Sequence, residues 1–322
     1  MSRKSNILQN AGSKNEAIFG TPQEPVFNST RSEDFPEVLQ EWLINLAMRN
    51  CQEIQQACVP HGLFKQGAAA AFLFLVCDKL QLPWQVQFTA IELFDRFMRK
   101  HIEDLYMYVY NNSSKPAAKV TEWRSIVERV EKQLVLRIVS CCQIASKLNS
   151  HYEVITVSRA KRFLLDFGFN YSNDSVLQSE LRVLKTVNFD VNVSSPLDYV
   201  ETLLQVLAHN AAAFDLPISL YQSVATKLLT ILYIRSNHIF VSLLPQAGLT
   251  STTLQQRLSA IQADKLLMGL AVIAAAVYIC DKQHTDLRGL SALAGKVSMC
   301  RRASFDFSSR QASWNVMVCI DQ

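Results

Sequence analysis

From Asp34 onward the apolar residues fall at helical spacing, and the chain reads as a succession of helices separated by short polar breaks. Leu39, Leu43, Leu46 and Ile54, with Trp42 alongside, predict a helix over about 36–56, and Pro36 suits its first turn. After a loop holding Pro60 and Gly62, the apolar run Ala68 to Val76 predicts a short helix, ended where Pro83 biases Leu82 away from helical backbone. Trp84 to Lys100 is amphipathic: Val86, Ala90, Leu93, Phe94 and Phe97 share one face, and Glu92/Arg96 and Asp95/Arg99 are expected as i,i+4 pairs on the other. Residues 107–121 carry Asn-Asn-Ser-Ser and a proline, which predicts a long exposed connection. Trp123 to Leu148 then predicts a helix apolar around most of its circumference, which belongs at the centre of a bundle.

Two further helices follow, over about Thr156 to Phe167 and Asp174 to Val187, the first with Thr156 as its cap and Gly168 as its left-handed stop. Asn188 to Ser194 reads as extended, and Ser195-Pro196-Leu197-Asp198 as a capping-box start that marks a domain boundary. Beyond it, helices are expected over about 196–209, 216–242, 251–261 and 264–282. Gly269, Ala271, Ala274, Ala275 and Ala276 give the last one a small-residue surface, resembling Ser140 to Ser146 in the first half and hinting at an internal repeat of ~100 residues. The division expected is a disordered tail over 1–33, a first helical domain over 34–195, a second over 196–299, and a loosely attached tail over 300–322.

Composition agrees with this all-α reading. Hydrophobic residues make up 49% of the 322 and charged residues 19%, the balance of a chain with a real core, and only nine glycines and nine prolines supply turns. A net charge of +4 and no Lys/Arg run of five leave out the electrostatic footprint of a dedicated nucleic-acid binder, so direct nucleic-acid binding is not expected. The segment Leu266 to Cys280 is continuously apolar but too short to cross a bilayer, so no membrane partner is expected. The N-terminal MSRKSNILQN has no signal-peptide pattern, which predicts an intracellular protein. Eight cysteines without a C-x-x-C pair read as reduced thiols.

No phosphate-binding glycine loop, H-E-x-x-H, G-x-S-x-G or kinase signature occurs, and the six histidines lack metal-ligand spacing. Neither catalysis, nor a cofactor, nor a metal site is therefore expected. Arg301-Arg302-Ala303-Ser304 has the form of a basophilic phosphorylation site, making Ser304 a candidate for modification.

Two stretches, Cys142-Gln143-Ile144-Ala145-Ser146-Lys147-Leu148 and Ser179-Glu180-Leu181-Arg182-Val183-Leu184-Lys185-Thr186-Val187-Asn188-Phe189-Asp190, resemble the first cyclin box, and Asp95-Arg96-Phe97-Met98 matches the family's pattern at the end of its second helix. The resemblance covers roughly 36–195 and implies a cyclin fold: one well-matched box, then a second, degenerate helical one. It further implies a regulatory or adaptor protein that binds a cyclin-dependent kinase through Lys147 and Glu180. With Pro196 to Val206 added, it points to a divergent, nuclear branch of the family in meiotic crossover maturation, with recombination proteins as further partners.

The residues themselves single out Glu180, which falls inside the arc formed by Val176, Leu177, Leu181, Val183, Leu184 and Val187, where a carboxylate needs a partner. That partner is either a protein bound there or an internal cation such as Lys147. Asn149 and Ser150 stand where cell-cycle cyclins carry acids, and Lys65, Ala69, Phe72 and Leu75 align with the substrate-docking patch without its acidic anchor. Arg-x-Leu recruitment is therefore not expected. The competing readings are a kinase-independent scaffold and a nucleic-acid-contacting cyclin-fold factor.

Overall fold

A computed structural model describes residues 36–57, 62–65, 67–112, 116–150, 154–210, 216–243 and 258–280. The expected tails over 1–33 and 300–322, with Ser304, lie outside the described residues, as do 251–257 and 281–299. Among those described, every regular element is a helix: α1 (Pro36–Gln55), α2 (Gly67–Lys79), α3 (Trp84–Asn112), α4 (Pro116–Asn149), α5 (Val157–Asp166), α6 (Asn173–Thr186), α7 (Pro196–Asn210), α8 (Ile218–Leu243) and α9 (Lys265–Cys280), with 258–263 also helical.

The centre is α4. Every residue from Leu136 to Ser146 is buried, as its all-round apolar pattern requires, and α2, α3, α5 and α6 pack around it. Thr156 caps α5 by accepting a hydrogen bond from the Arg159 N–H, and Gly168 stops it at φ +84°. The cap of α6 is Ser172, whose hydroxyl accepts from the Ser175 N–H, so that helix begins one residue before the expected Asp174.

The expected long connection over 107–121 is not there. Helix α3 runs on to Asn112 and α4 starts at Pro116, so Asn111, Asn112 and Pro116 belong to two helices of 29 and 34 residues that are only a few positions apart in sequence. Residues near these two helix ends carry helical contacts: Val109 and Ile126 are buried, Tyr106 meets Trp123 edge-on with centroids 5.5 Å apart, and the Lys119 ammonium lies 4.2 Å over the Tyr110 ring. Asn111 and Asn112 close the first helix without unravelling its last turns.

In the second half α7, α8 and α9 pack on one another, and α1 lies across α7 and α9, with the Tyr199 hydroxyl donating to the Leu46 carbonyl at 3.1 Å. Gly269 permits the close approach of α9 to α7, since a Cβ there would stand 3.3 Å from the Cβ of Tyr199. Ala276 is buried on the same helix, whereas Ala271 and Ala274 face out. One apolar core runs through both halves from Leu43 to Ala276, joined by Phe74, Phe88 and Tyr233 at ring separations of 5.8–5.9 Å.

At that junction lies a closed set of buried charges. Lys65 donates to both oxygens of Glu92 at 2.8 and 3.0 Å, and Lys265 reaches Glu92 at 3.0 Å and Glu53 at 2.6 Å. The Tyr233 hydroxyl donates to Glu92 at 2.6 Å, and Lys265 also donates to the Ser194 carbonyl at 2.7 Å. Beside it, Asn50 donates to Asp264 at 2.8 Å and accepts the Lys265 N–H at 2.9 Å. Two cations and two carboxylates thus neutralise one another, Lys65, Lys265 and Glu92 out of water and Glu53 at the margin with its side chain 24% exposed, which makes so costly a group of charges tolerable.

Glu92 is therefore not the surface partner of Arg96. The pattern of Ala90, Ile91, Leu93 and Phe94 around it is that of a fully buried turn, and Arg96 pairs instead with Asp190 at 2.9 Å. The Asp95–Arg99 pair forms at 3.1 Å, but not on an exposed face: Asp95 is buried and also accepts the Phe64 N–H at 3.1 Å.

Burial alone would raise the Glu92 pKa, but Lys265 and Lys65, with hydrogen bonds from Lys65 and Tyr233, hold it well below the usual carboxylate range. Burial lowers that of Lys265, and Glu92 and Glu53 raise it above its ordinary value. The Glu92 contribution is present above about pH 4.3, the unfolded value, and lost as pH falls toward the folded one; that of Lys265 is present below about pH 10.4 and lost above. Removing one partner strands a charge, so Lys265→Met should lower the unfolding free energy by about 3–5 kcal/mol in urea titrations at neutral pH. Glu201, accepting from Gln85 and Gln222 at 3.1 Å each, behaves oppositely, its pKa raised by burial to about 7. Its ionisation costs stability as pH rises from about 4.3 to 7, so Glu201→Gln should gain ~2 kcal/mol on wild type between pH 4 and 8.

Candidate functional site

Lys147 and Glu180 are 33 residues apart in sequence and are brought together by the packing of α6 on α4. Lys147 lies in the last turn of α4, where a cation complements the unpaired carbonyls of the helix end. Glu180 lies mid-helix on α6 between the buried Ser179 and the half-buried Leu181, and its carboxylate accepts from the Lys147 ammonium. The two ends of this pair differ in exposure: the lysine side chain is 44% exposed and the glutamate 10%. Leu148 and Leu177, both exposed, stand next to it in sequence and one helical turn away. The pair is thus an accessible charged spot with an apolar margin.

The surrounding backbone is fixed by the same motif. Ser146 donates its hydroxyl to the Gln143 carbonyl at 2.8 Å and accepts the Ile155 N–H at 3.0 Å, which ties the segment after α4 back onto the helix. Asn149 turns its amide to the Ala145 carbonyl at 3.1 Å, and so caps the helix end rather than reaching outward. Past α6, Asn188 and Phe189 take left-handed backbone (φ 55° and 59°) and leave the Phe189 ring exposed.

Lys65, Ala69, Phe72 and Leu75 do not come together as an open surface. Lys65 turns inward to Glu92, Phe72 packs edge-on against Phe167 at 6.1 Å, and of the four only Leu75 is exposed. Among the described cysteines, Cys77 and Cys142 are buried with sulfurs 3.9 Å apart, and burial pushes the Cys141 thiol pKa up. No group of three His, Cys, Asp or Glu able to hold a metal ion occurs among the described residues, and no described helix is long and apolar enough to cross a membrane.

The buried set around Glu92 escaped the sequence reading, although two signals mark it. Lys265 occupies the first turn of α9, where a cation opposes the helix dipole, and Glu92 sits in an apolar run just as Glu180 does.

Comparison with known proteins adds a finding at this point. No protein-family model matches the chain. Over 246 residues, 76% of its length, the chain is 31% identical to cyclin N-terminal domain-containing protein 1 of Mus musculus, spanning 73% of that protein. To the Homo sapiens protein of the same name it is 30% identical over 246 residues, spanning 74% of it.

The unequal exposure of the pair sets the outcome of truncating it. With Glu180 removed, the Lys147 ammonium swings into water; with Lys147 removed, a largely buried carboxylate is left alone. Lys147→Ala should therefore cost more stability than Glu180→Ala, ~1–2 kcal/mol against less than ~1, read from urea unfolding of the two variants side by side.

Proposed function

We propose that this chain, which belongs to the family of cyclin N-terminal domain-containing protein 1, is a regulatory adaptor that binds a cyclin-dependent kinase through Lys147 and Glu180 and acts in the meiotic nucleus during crossover maturation. The observation that carries this reading is the Lys147–Glu180 pair itself, exposed on its lysine side, bordered by Leu148 and Leu177, and set on two helices that α4 packing holds rigid. In the free protein the two charges satisfy each other. A partner helix bringing a carboxylate and a cation of its own would exchange one internal pair for two intermolecular ones, at little further desolvation of Glu180, which is already largely out of water. The chain itself supplies no catalytic group to this function and needs no cofactor for it; the chemistry belongs to the kinase.

A scaffold reading draws support from Asn149, whose side chain is spent on capping α4, so that the acids expected beside the lysine are replaced by a group facing its own helix. Recombination proteins would then be the partners, held by other surfaces of the fold.

Affinity purification from meiotic tissue should recover a stoichiometric kinase with the wild-type chain, and Lys147→Ala or Glu180→Ala should weaken its binding by 2–5 kcal/mol, about 30-fold or more, when measured at a temperature where both variants are folded. Recovery of recombination proteins without a kinase, unchanged by either substitution, would favour the scaffold.

A further inference from the structure

Arg137 on α4 is a buried cation that no acidic side chain among the described residues answers. Only 7% exposed, its guanidinium donates through Nη1 to the Ser179 hydroxyl at 2.7 Å and carbonyl at 3.4 Å, and through Nη2 to the Gln133 side-chain oxygen at 2.7 Å. Its Nε is buried without a partner. Every acceptor is neutral. Lys65 and Lys265, the other buried cations, meet carboxylates directly, and that is the usual condition for burying charge.

Two more basic groups share the field of Arg137. Arg182 on α6 is exposed and pairs with no carboxylate among the described residues. His101 on α3 stacks on Phe97 at 5.1 Å. Burial, then the charge of Arg182, depress the Arg137 pKa to about 10; burial, then Arg137 and Arg182, depress that of His101 to about 4, against a smaller opposing effect of Asp104. Arg182 follows Ser179, the residue that Arg137 bonds, by one helical turn, so the two guanidinium groups belong to the same seam between α4 and α6, and His101 and Asp104 on α3 lie within electrostatic reach of it.

We propose that this face of α3, α4 and α6 binds the phosphate of a phosphorylated serine or threonine in a partner protein. A phosphomonoester carries close to two negative charges and three acceptor oxygens, which matches the two guanidinium charges, with the neutral His101 imidazole as a further hydrogen-bond donor, whereas one carboxylate would leave half of the positive charge unanswered. The Arg182 fork engages the phosphate from outside. Gln133 is exposed, and its oxygen on Arg137 Nη2 is replaceable by a phosphate oxygen, giving Arg137 the anion it lacks. Nucleic acid fits less well, because the site is one compact spot: along α4 the neighbouring charges alternate as Glu128-Arg129 and Glu131-Lys132, so no track of one sign leads away from it. The site is separate from the Lys147–Glu180 pair, since α6 turns Glu180 toward Lys147 and Ser179 toward Arg137.

The test uses the full chain against an array of phosphoserine and phosphothreonine peptides and the same peptides unphosphorylated, followed by fluorescence anisotropy of the strongest binder. Phosphorylated peptides should bind at least about 10-fold more tightly than their counterparts, with Arg182→Ala losing about 10-fold or more at an unchanged melting temperature. His101→Gln should weaken binding less. Inorganic phosphate should raise the melting temperature of the wild-type chain above that in chloride of equal ionic strength, and not that of Arg182→Ala. An array without phosphate-dependent binding, or affinity indifferent to Arg182→Ala, would overturn the proposal; so would a short single-stranded DNA that displaces the peptide at equal concentration.

Discussion

The two halves of this protein are held in register by Glu92. Its carboxylate, on a helix of the first half, is met by Lys65 from the loop before α2, by Lys265 at the head of α9 and by Tyr233 on α8. Glu53 on α1 balances the second lysine. A buried group of this kind adds little net stability compared with apolar packing, yet tolerates only one arrangement of its members, because any slippage leaves a charge alone in the core. The aromatic cluster of Phe74, Phe88 and Tyr233 beside it could accept several small displacements; the charges cannot.

That rigidity reaches the surface through α3 and α4. Because α4 is enclosed on all sides over Leu136 to Ser146, its exposed last turn and the helix α6 packed against it have little freedom to shift. Lys147 and Glu180 are presented on one part of this platform and Arg137 and Arg182 on another. Ser179 and Glu180, adjacent in sequence, point to different cations, so a single helix serves two charged spots without mixing them.

Much of this was legible in the residues. Thr156 and Gly168 delimit α5 by local chemistry that needs no tertiary information, and the apolar circumference of α4 announces a central helix. Glu180 was recognisable as a carboxylate in need of a partner, and Lys147 was a candidate for it. What the sequence hid is direction and distance. The spacing of Glu92 and Arg96 is right for a surface pair, but spacing does not say which way a helix face points; partners 27 and 141 residues away decide that. The stretch around Asn111 was misread because turn residues there were given a whole loop, when Tyr106, Val109, Trp123 and Ile126 keep helical contacts right up to the link. The basic cluster around Arg137 was hidden for a similar reason, its members coming from three helices.

The same hairpin has a kinetic meaning. Helices α3 and α4 are neighbours in sequence, joined by a few residues and packed along their lengths, so their contacts close small loops and form at low entropic cost. The bond from Tyr233 to Glu92 closes a loop of 141 residues and becomes favourable only when α8 and α9 already exist. Contact order thus favours assembly from a hairpin that already carries Glu92 with Lys65 nearby, the second half docking onto it late with Lys265 and the Tyr233 hydroxyl, which complete the set of partners around the carboxylate.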